Sequence, residues 1–314
     1  MGDGCDPLCG GKGRAYNTLL FIICQFCQNS SFYALYTGME MDKSPRVSIV
    51  MPTHNRGALL SRAIESVCMQ TFTDWELVVT DDASTDDTWK TLTAWAAKDA
   101  RIKPMRNAVN EYPDISKILN DGLKRSQGEY IARLDDDDYW IDTEKLAKQV
   151  AYLDAHPKCV IIGTGVIVVD GAGNERYRYL KAEDDAAIRD GALLSNPFTH
   201  SAVLYRKAAA LAEGGYERQY AEDWTLWLAM GKKGALHNIP EYSTGFLMAG
   251  QNKTLVHQRA HAKTLVGIVV RFRRDYPHFV RGYAINLAAL LFSYVPAFAR
   301  KALFPFAARI KRLL

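Results

Sequence analysis

The stretch Gly128 Glu129 Tyr130 Ile131 Ala132 Arg133 Leu134 Asp135 Asp136 Asp137 Asp138 decides how the chain is read. Glu129 to Leu134 is apolar enough to form a buried strand, and four consecutive acids follow it at once. Carboxylates crowded together each disfavour ionisation of the next, so a cation belongs beside them. A hard divalent ion such as Mg²⁺ or Mn²⁺ meets that need with one or two carboxylates and the phosphates of a substrate. A solvated acidic turn is the plainer alternative. It accounts less well for acids placed directly after a buried strand, where an open α/β sheet puts its ligand crevice.

Outward from this stretch, strands and helices alternate. Order begins at Pro45. Val47 to Met51 reads as a buried strand ended by Pro52, followed by the turn Thr53 His54 Asn55 Arg56 Gly57. Leu60, Ile64 and Val67 then recur at helical spacing. A second strand, Trp75 to Thr80, runs into Asp81 to Asp87, where Ser84 and Asp87 have the spacing of a capping box, and the next helix carries Trp89, Leu92 and Ala96. A short strand from Ile102 to Arg106 and a helix with Ile115, Leu119 and Leu123 lead back to the opening stretch. This is the pattern of parallel βαβ units, an α/β fold with a mostly parallel central sheet flanked by helices. The turns Thr53 to Arg56, Asp81 to Asp82 and Asp135 to Asp138 would then converge at the carboxyl ends of three strands. Neither G-x-G-x-x-G nor G-K-[ST] occurs, so a nucleotide bound there would need a metal to neutralise its phosphates.

The chain has 314 residues, 48% of them hydrophobic, enough for one large or two modest domains. Its net charge of +4 hides an asymmetry: from Arg271 onward nine Arg or Lys face the single acid Asp275, leaving −4 on the rest. That balance argues against nucleic acid as a partner of the body and gives the tail an anionic one. Cys68 and Cys159 lie in apolar segments and read as buried small hydrophobes. Cys5, Cys9, Cys24 and Cys27 could be a zinc cluster, but residues 1–44 lack a strand or helix pattern to build one on, and read as a poorly ordered extension. The apolar run Leu19 to Cys27 is too short to span a bilayer.

Taken in order, the motifs resemble those of family 2 glycosyltransferases, nucleotide-sugar enzymes with the GT-A fold. The resemblance rests on Ser48 to Arg56, Asp81 to Asp86, Leu119 to Leu123, Gly128 to Asp138, Asn196 to Ser201, Gly214 to Tyr216 and Glu222 to Leu228, and covers about Val47 to Met230. It implies a donor pocket of Pro52, Thr53, Asn55, Arg56, Asp81, Asp82, Lys117, Asn120 and Arg133, with Thr53 and Asp82 at the positions that contact base and ribose. It also implies a ribose-facing Asp135, a variable Asp136 and a metal-holding Asp137, with Asp138 in support. His54 replaces an aromatic often found beside the base. Asp223 matches the position of the base that takes the acceptor hydroxyl proton in inverting transfer, a task suited to a carboxylate within hydrogen-bond reach. At a helix start it also complements the dipole.

Beyond the donor half, Val160 to Val169 reads as a strand, Asp170 to Asn174 as a turn, and Phe198 to Tyr205 as a strand with a structural His200. His257 and His261 read as surface or acceptor-contacting residues. Gly282 to Ala299 is uncharged and apolar, with Asn286 and Pro296 interrupting it. A helix lying on the membrane surface suits it better than a spanning one, packing on the body being the alternative. The expected layout is a GT-A domain at 45–250, split into a nucleotide-sugar half (45–142) and an acceptor half (143–250), and a basic helical membrane-associating tail at 251–314. The expected enzyme moves a sugar from a UDP-sugar, with Mg²⁺ or Mn²⁺, to a glycan or lipid-linked acceptor of surface polysaccharide, on the cytoplasmic face of the cell membrane. Two alternatives stand beside it: a nucleotidyltransferase of similar fold, which the turn Pro52 to Asn55 fits poorly, and a non-catalytic membrane-associated nucleotide-sugar-binding protein.

Overall fold

The run Val47 to Thr53 becomes β1, the strand from which the sheet grows in both directions. The computed structural model describes residues 44–248 and 257–295, and a compact unit starts at Pro45. The four N-terminal cysteines and the basic end beyond Val295 lie outside the described residues. β1 pairs in parallel with β2 (Trp75–Asp81) and with β4 (Tyr130–Arg133), and β3 (Ile102–Arg106) lies parallel beyond β2. Thr53 stands opposite Asp81 and Val50 opposite Arg133, which sets the three polar turns side by side.

Strand alternation divides the core. Ile49 and Met51 face α1 (Gly57–Cys68) and α2 (Thr88–Ala96) through Leu60, Ile64 and Leu92. Val50 and Ile131 face α3 (Ile115–Arg125) through Leu119 and Leu123. The turn into β4 crosses β1 so closely that a Cβ on Gly128 would lie 2.6 Å from the Ser48 main-chain nitrogen. Gly128 N donates to Ser48 Oγ (2.8 Å), which donates to the buried Glu76 (2.6 Å). The helix after β2 does not begin with the expected capping box. Ser84 Oγ instead accepts from Asn55 N (2.9 Å), Asp86 accepts from Thr88 N (2.9 Å), and α2 starts at Thr88.

Past β4 the sheet turns mixed. β8 (Leu204–Arg206) runs antiparallel to β4, β6 (Cys159–Val169) antiparallel to β8, and β9 (Ala235–Leu247) parallel to β6. The short β5 (Tyr139–Trp140) and β7 (Glu175–Tyr179) add antiparallel to β9 and β6. Parallel order is thus confined to β1–β4 and the β6/β9 pair. The expected strand from Phe198 to Tyr205 is corrected: His200–Ala202 is a 3₁₀ turn and the strand begins at Leu204. Consecutive strand residues face opposite ways, whereas His200 and Ser201 both bind residues of the acidic stretch, Arg133 and Asp138.

The remaining helices are α4 (Lys145–Ala155), α5 (Asp185–Gly191), α6 (Lys207–Ala212), α7 (Glu222–Gly231), α8 (Gln258–Arg271) and α9 (Phe279–Ser293). After its acidic first two residues, α7 is mostly apolar and buried on every face from Trp224 to Gly231. Trp227 and Met230 pack toward Phe198, Tyr205 and Tyr216, and Trp224 and Leu228 toward Ile268, Val269 and Phe272 of the tail. α9 turns its small and polar residues Gly282, Asn286 and Ser293 inward, with Gly282 so near Leu193 O that a Cβ would approach to 2.5 Å. Its outward residues include Val280 (78% exposed) and Leu291 (61%). The tail therefore packs on the body by one face and presents an apolar face to the outside. No helix among the described residues is long and apolar enough to cross a membrane.

Candidate active site

The β1 and β2 turns interlock through backbone that few side chains tolerate. Asn55 (φ 52°) and Ala83 (φ 55°) are both left-handed, and Ala221 (φ 51°) takes the same conformation where the chain enters α7. Asn55 Oδ1 accepts from Thr85 N (2.8 Å), and Arg56 N donates to Thr88 Oγ1 (2.8 Å). Asp81 is fully buried, accepting from Ser84 N (3.0 Å) with Arg106 Nε 3.2 Å away. Asp82 accepts from Asn107 Nδ2 (2.8 Å) and Glu111 N (3.1 Å). His54 Nδ1 lies 2.8 Å from Asp82 O, and Asn110 Nδ2 donates to the same oxygen (3.1 Å). Pro52 ends the apolar part of β1, and the next residue, Thr53, holds a buried hydroxyl with no hydrogen bond of good geometry.

The four acids part company. Asp135 accepts from Arg133 (2.7 Å), whose guanidinium is 1% exposed and also donates to Val50 O and to His200 Nε2 (2.9 Å). The Asp136 and Asp137 carboxylates meet the edge of Arg56 at 4.0 and 3.8 Å, and Arg62 donates to the Asp137 main-chain oxygen (3.0 Å). Burial, then the Asp137 charge, pushes the Asp136 carboxyl up to about 7, although the nearby Thr53 hydroxyl and Arg56 pull it back. Burial and Asp135 raise Asp137 as well. Asp138 is buried and wholly engaged, accepting from Ser201 Oγ (2.5 Å) and Leu247 N (2.8 Å). It ties the acidic turn to the 3₁₀ turn and to the end of β9. The crowding inferred from the run is thus real from Asp136 to Asp138, while Asp135 is paired with Arg133. Among the described residues no three His, Cys, Asp or Glu side chains gather into a ready-made metal set. Ligands beyond these carboxylates would have to come from water or a substrate.

Asp223 lies in the first turn of α7 and accepts from Asn196 Nδ2 (2.8 Å). Burial raises its carboxyl, and the Asp135 charge adds to the shift, so the base candidate and the acidic turn share one electrostatic pocket. Its neighbour Glu222 is pushed up to about 8 by burial and by Asp223. His200 is held neutral, its imidazole lowered to about 3 by burial and by the Arg133 charge, so it serves Arg133 as an acceptor.

Two expected donor residues have partners within the protein. Lys117 pairs with Glu111. Asn120 clamps the Tyr216 main chain with both ends of its amide, accepting from Tyr216 N (2.8 Å) and donating to Tyr216 O (2.8 Å). Sequence reasoning missed Asn107, Glu111 and Asn196 as partners of Asp82 and Asp223. Asn107 and Glu111 belong to no motif, but Asn196 stands in a quoted one and could have been found there.

The comparisons bear on this geometry directly. Residues 48–211 match Glycosyl transferase family 2. The chain belongs to that family. It is a glycosyltransferase, which sets the nucleotidyltransferase and non-catalytic alternatives aside. It is 33% identical to the Bacillus subtilis (strain 168) protein named as glycosyltransferase EpsE, over 66% of this chain and 77% of that one. It is 32% identical to the amylovoran biosynthesis glycosyltransferase AmsE of Erwinia amylovora, over 58% and 68%. It is 30% identical to a GalNAc(5)-diNAcBac-PP-undecaprenol beta-1,3-glucosyltransferase of Campylobacter jejuni subsp. jejuni, over 60% of each. Among solved structures it resembles the Pyrobaculum calidifontis mannosyltransferase PcManGT in complex with GDP-Man and Mn²⁺, with TM-score 0.58, 18% identity, and 86% of this chain and 81% of that one covered. It also resembles S. aureus TarS 1-349 in complex with UDP-GlcNAc (TM-score 0.57, 20% identity, 82% and 75% covered) and spans 43% of a longer TarS chain. These likenesses establish the GT-A fold.

Proposed function

We infer that this glycosyltransferase works with inversion and a divalent metal, moving a sugar from a UDP-sugar to a lipid-linked acceptor in surface polysaccharide synthesis. The observation that carries the reading is Asp223: a half-buried carboxylate, aligned by Asn196 and made more basic by its surroundings, in the same pocket as Asp135. Residues 45–142 form the donor half, 143–250 the acceptor half, and 251–314 the tail.

Thr53 and Asp82 read base and ribose; the buried Thr53 hydroxyl beside Asp136 and the pre-oriented Asp82 carboxylate support this. Arg56 and Arg133 hold the acidic turn and bring positive charge toward the diphosphate. Asp137 is the carboxylate that holds the metal, with Asp135 on the ribose. Its raised carboxyl and 26% exposed side chain fit a hard cation that supplies the missing positive charge. When bound, such an ion stabilises the departing nucleoside diphosphate. Asp223 then takes the proton of the acceptor hydroxyl as that oxygen attacks the anomeric carbon from the face opposite the leaving group.

UDP is the donor nucleotide by analogy with TarS, although PcManGT carries GDP-Man. The lipid-linked acceptor draws support from the Campylobacter relative's name, and the polysaccharide setting from that of AmsE. The outward apolar face of α9 and the Arg and Lys residues of the tail support a tail that lies on the cytoplasmic face of the membrane.

Release of UDP or GDP from a panel of nucleotide sugars, with Mn²⁺ and with a chelator, tests the donor and the metal. Asp223→Asn should lose turnover while keeping nucleotide-diphosphate affinity; a large loss of that affinity would make Asp223 a donor ligand instead. Deleting 282–314 should release the protein from sedimenting membranes.

A further inference from the structure

A cavity opens where α8 meets the loop that leads into α7 and Asp223. His257, at the start of α8, and His261, Thr264, Ile268 and Arg271 within it recur at helical spacing and meet the loop Glu217 to Tyr220. The Tyr220 ring lies 5.7 Å from His257 and 6.4 Å from His261, and Arg271 holds both oxygens of Glu217 at 2.6 and 2.7 Å. Between Gln219, Lys263, Thr264, Gly267, Ile268 and Arg271 a cavity of about 370 Å³ opens, large enough for a small ligand. Tyr112 joins from the β3–α3 loop: its hydroxyl meets His257 Nε2 at 2.5 Å and the residue is 50% exposed. The loop that walls the cavity continues through the left-handed Ala221 into Glu222 and Asp223. Gln219, which lines the cavity, also donates to Thr225 Oγ1 on the α7 turn that carries Asp223.

The chemistry of the walls narrows the ligand. Gln219 Nε2 is committed to Thr225 Oγ1 (2.6 Å), leaving the carbonyl oxygen as an acceptor. Thr264 Oγ1 donates to Ala260 O (3.1 Å), leaving its lone pairs. Arg271 is neutralised by Glu217, so Lys263 brings the only other cationic group among the cavity's lining residues. Acceptor oxygens with one ammonium suit hydroxyl groups better than a phosphate. Next to these lining residues in the chain, the Tyr220, His257 and His261 rings cluster together and offer flat amphipathic surface of the kind against which the C–H face of a pyranose packs.

We propose that this groove binds a neutral sugar ring of the acceptor glycan, behind the unit that carries the reacting hydroxyl. The proposal rests on the reading of Asp223 as the base that faces the acceptor. Gly267 provides the test. A Cβ added there meets nothing within 4 Å, so Gly267→Leu fills the cavity without a clash and with a side chain that helices favour.

Saturation-transfer NMR on the full chain would use the methyl glycosides of glucose, galactose, N-acetylglucosamine and N-acetylgalactosamine, with inorganic phosphate as competitor. At least one glycoside should bind the unsubstituted protein, bind Gly267→Leu and Tyr220→Ala at least tenfold more weakly, and resist displacement by phosphate. Absence of glycoside binding, equal binding to Gly267→Leu, or displacement by phosphate would each overturn the proposal. UDP affinity is read on the same samples and should be unchanged in Gly267→Leu, and nucleotide-sugar turnover is read on the unsubstituted protein. Failure of turnover in the unsubstituted protein would defeat the proposed reaction, and is read separately from whether the groove holds a sugar.

Discussion

Asp138→Ala and Asp137→Ala should fail in opposite ways, although the two residues are neighbours. Removing the Asp138 carboxylate strands two buried donors, Ser201 Oγ and Leu247 N, which it now accepts at 2.5 and 2.8 Å. Each orphaned donor costs roughly 1–3 kcal/mol. Burial and the charges of Asp135 and Asp137 raise the Asp138 carboxyl well above the usual range, so removing it also relieves a strained ionisation and reduces the net loss. A net destabilisation of about 2–4 kcal/mol lowers Tm by roughly 5–15 °C for a domain of this size. Asp137 accepts no such pair of donors, and its loss removes like charge from the turn. Asp137→Ala should therefore keep or slightly raise Tm while abolishing metal-dependent transfer, and Asp136→Ala should be comparatively mild in activity. Thermal unfolding by circular dichroism, with nucleotide release on the same preparations, separates them. An unchanged Tm in Asp138→Ala, or a collapsed one in Asp137→Ala, would refute the division of the four acids.

Lys145 is fully buried over the Trp140 ring, donates to Gln149 Oε1 (2.8 Å), and is lowered by burial from 10.5 to about 7. The folded state then binds fewer protons than the unfolded state between those two values, so stability should rise with pH across that window, by about 2–3 kcal/mol from pH 7 to 9. Chemical denaturation of Lys145→Met should show that part of the slope removed. Gly128→Ala forces a methyl to within 2.6 Å of main chain that cannot yield, and should cost roughly 1–3 kcal/mol in the same assay. Ala221→Gly relieves a left-handed alanine and should gain about 0.5–1 kcal/mol, with reduced turnover if the kink aims Asp223.

The first four strands and three helices were legible because their signals are local: Val47 to Met51, Trp75 to Thr80 and the Ile115, Leu119, Leu123 stripe each declare their period within a dozen residues. The two-residue β5 has no period to read and exists only because Tyr139 and Trp140 meet β9. The site followed the same rule. Acids at strand ends were visible, but the partners that set their chemistry were not. His200 is 67 residues from Arg133 and Asn107 is 25 from Asp82, distances over which no spacing rule operates. The tail shows a signal that was present and unread. Gly282 and Asn286 are four apart, and such a spacing of small and polar residues in an apolar helix marks the face that packs inward.

The single sheet has a consequence for how this enzyme could be rebuilt. β4 lies between β1 and β8, and Arg133 on β4 binds the Val50 carbonyl on one side and His200 on the other. The parallel β1–β4 part of the sheet and the mixed part beyond it meet along this hydrogen-bonded seam. A chimera that exchanges one part between relatives must therefore carry β8, the 3₁₀ turn and Arg133 across as one block. A cut at the linear midpoint of the chain would sever that seam.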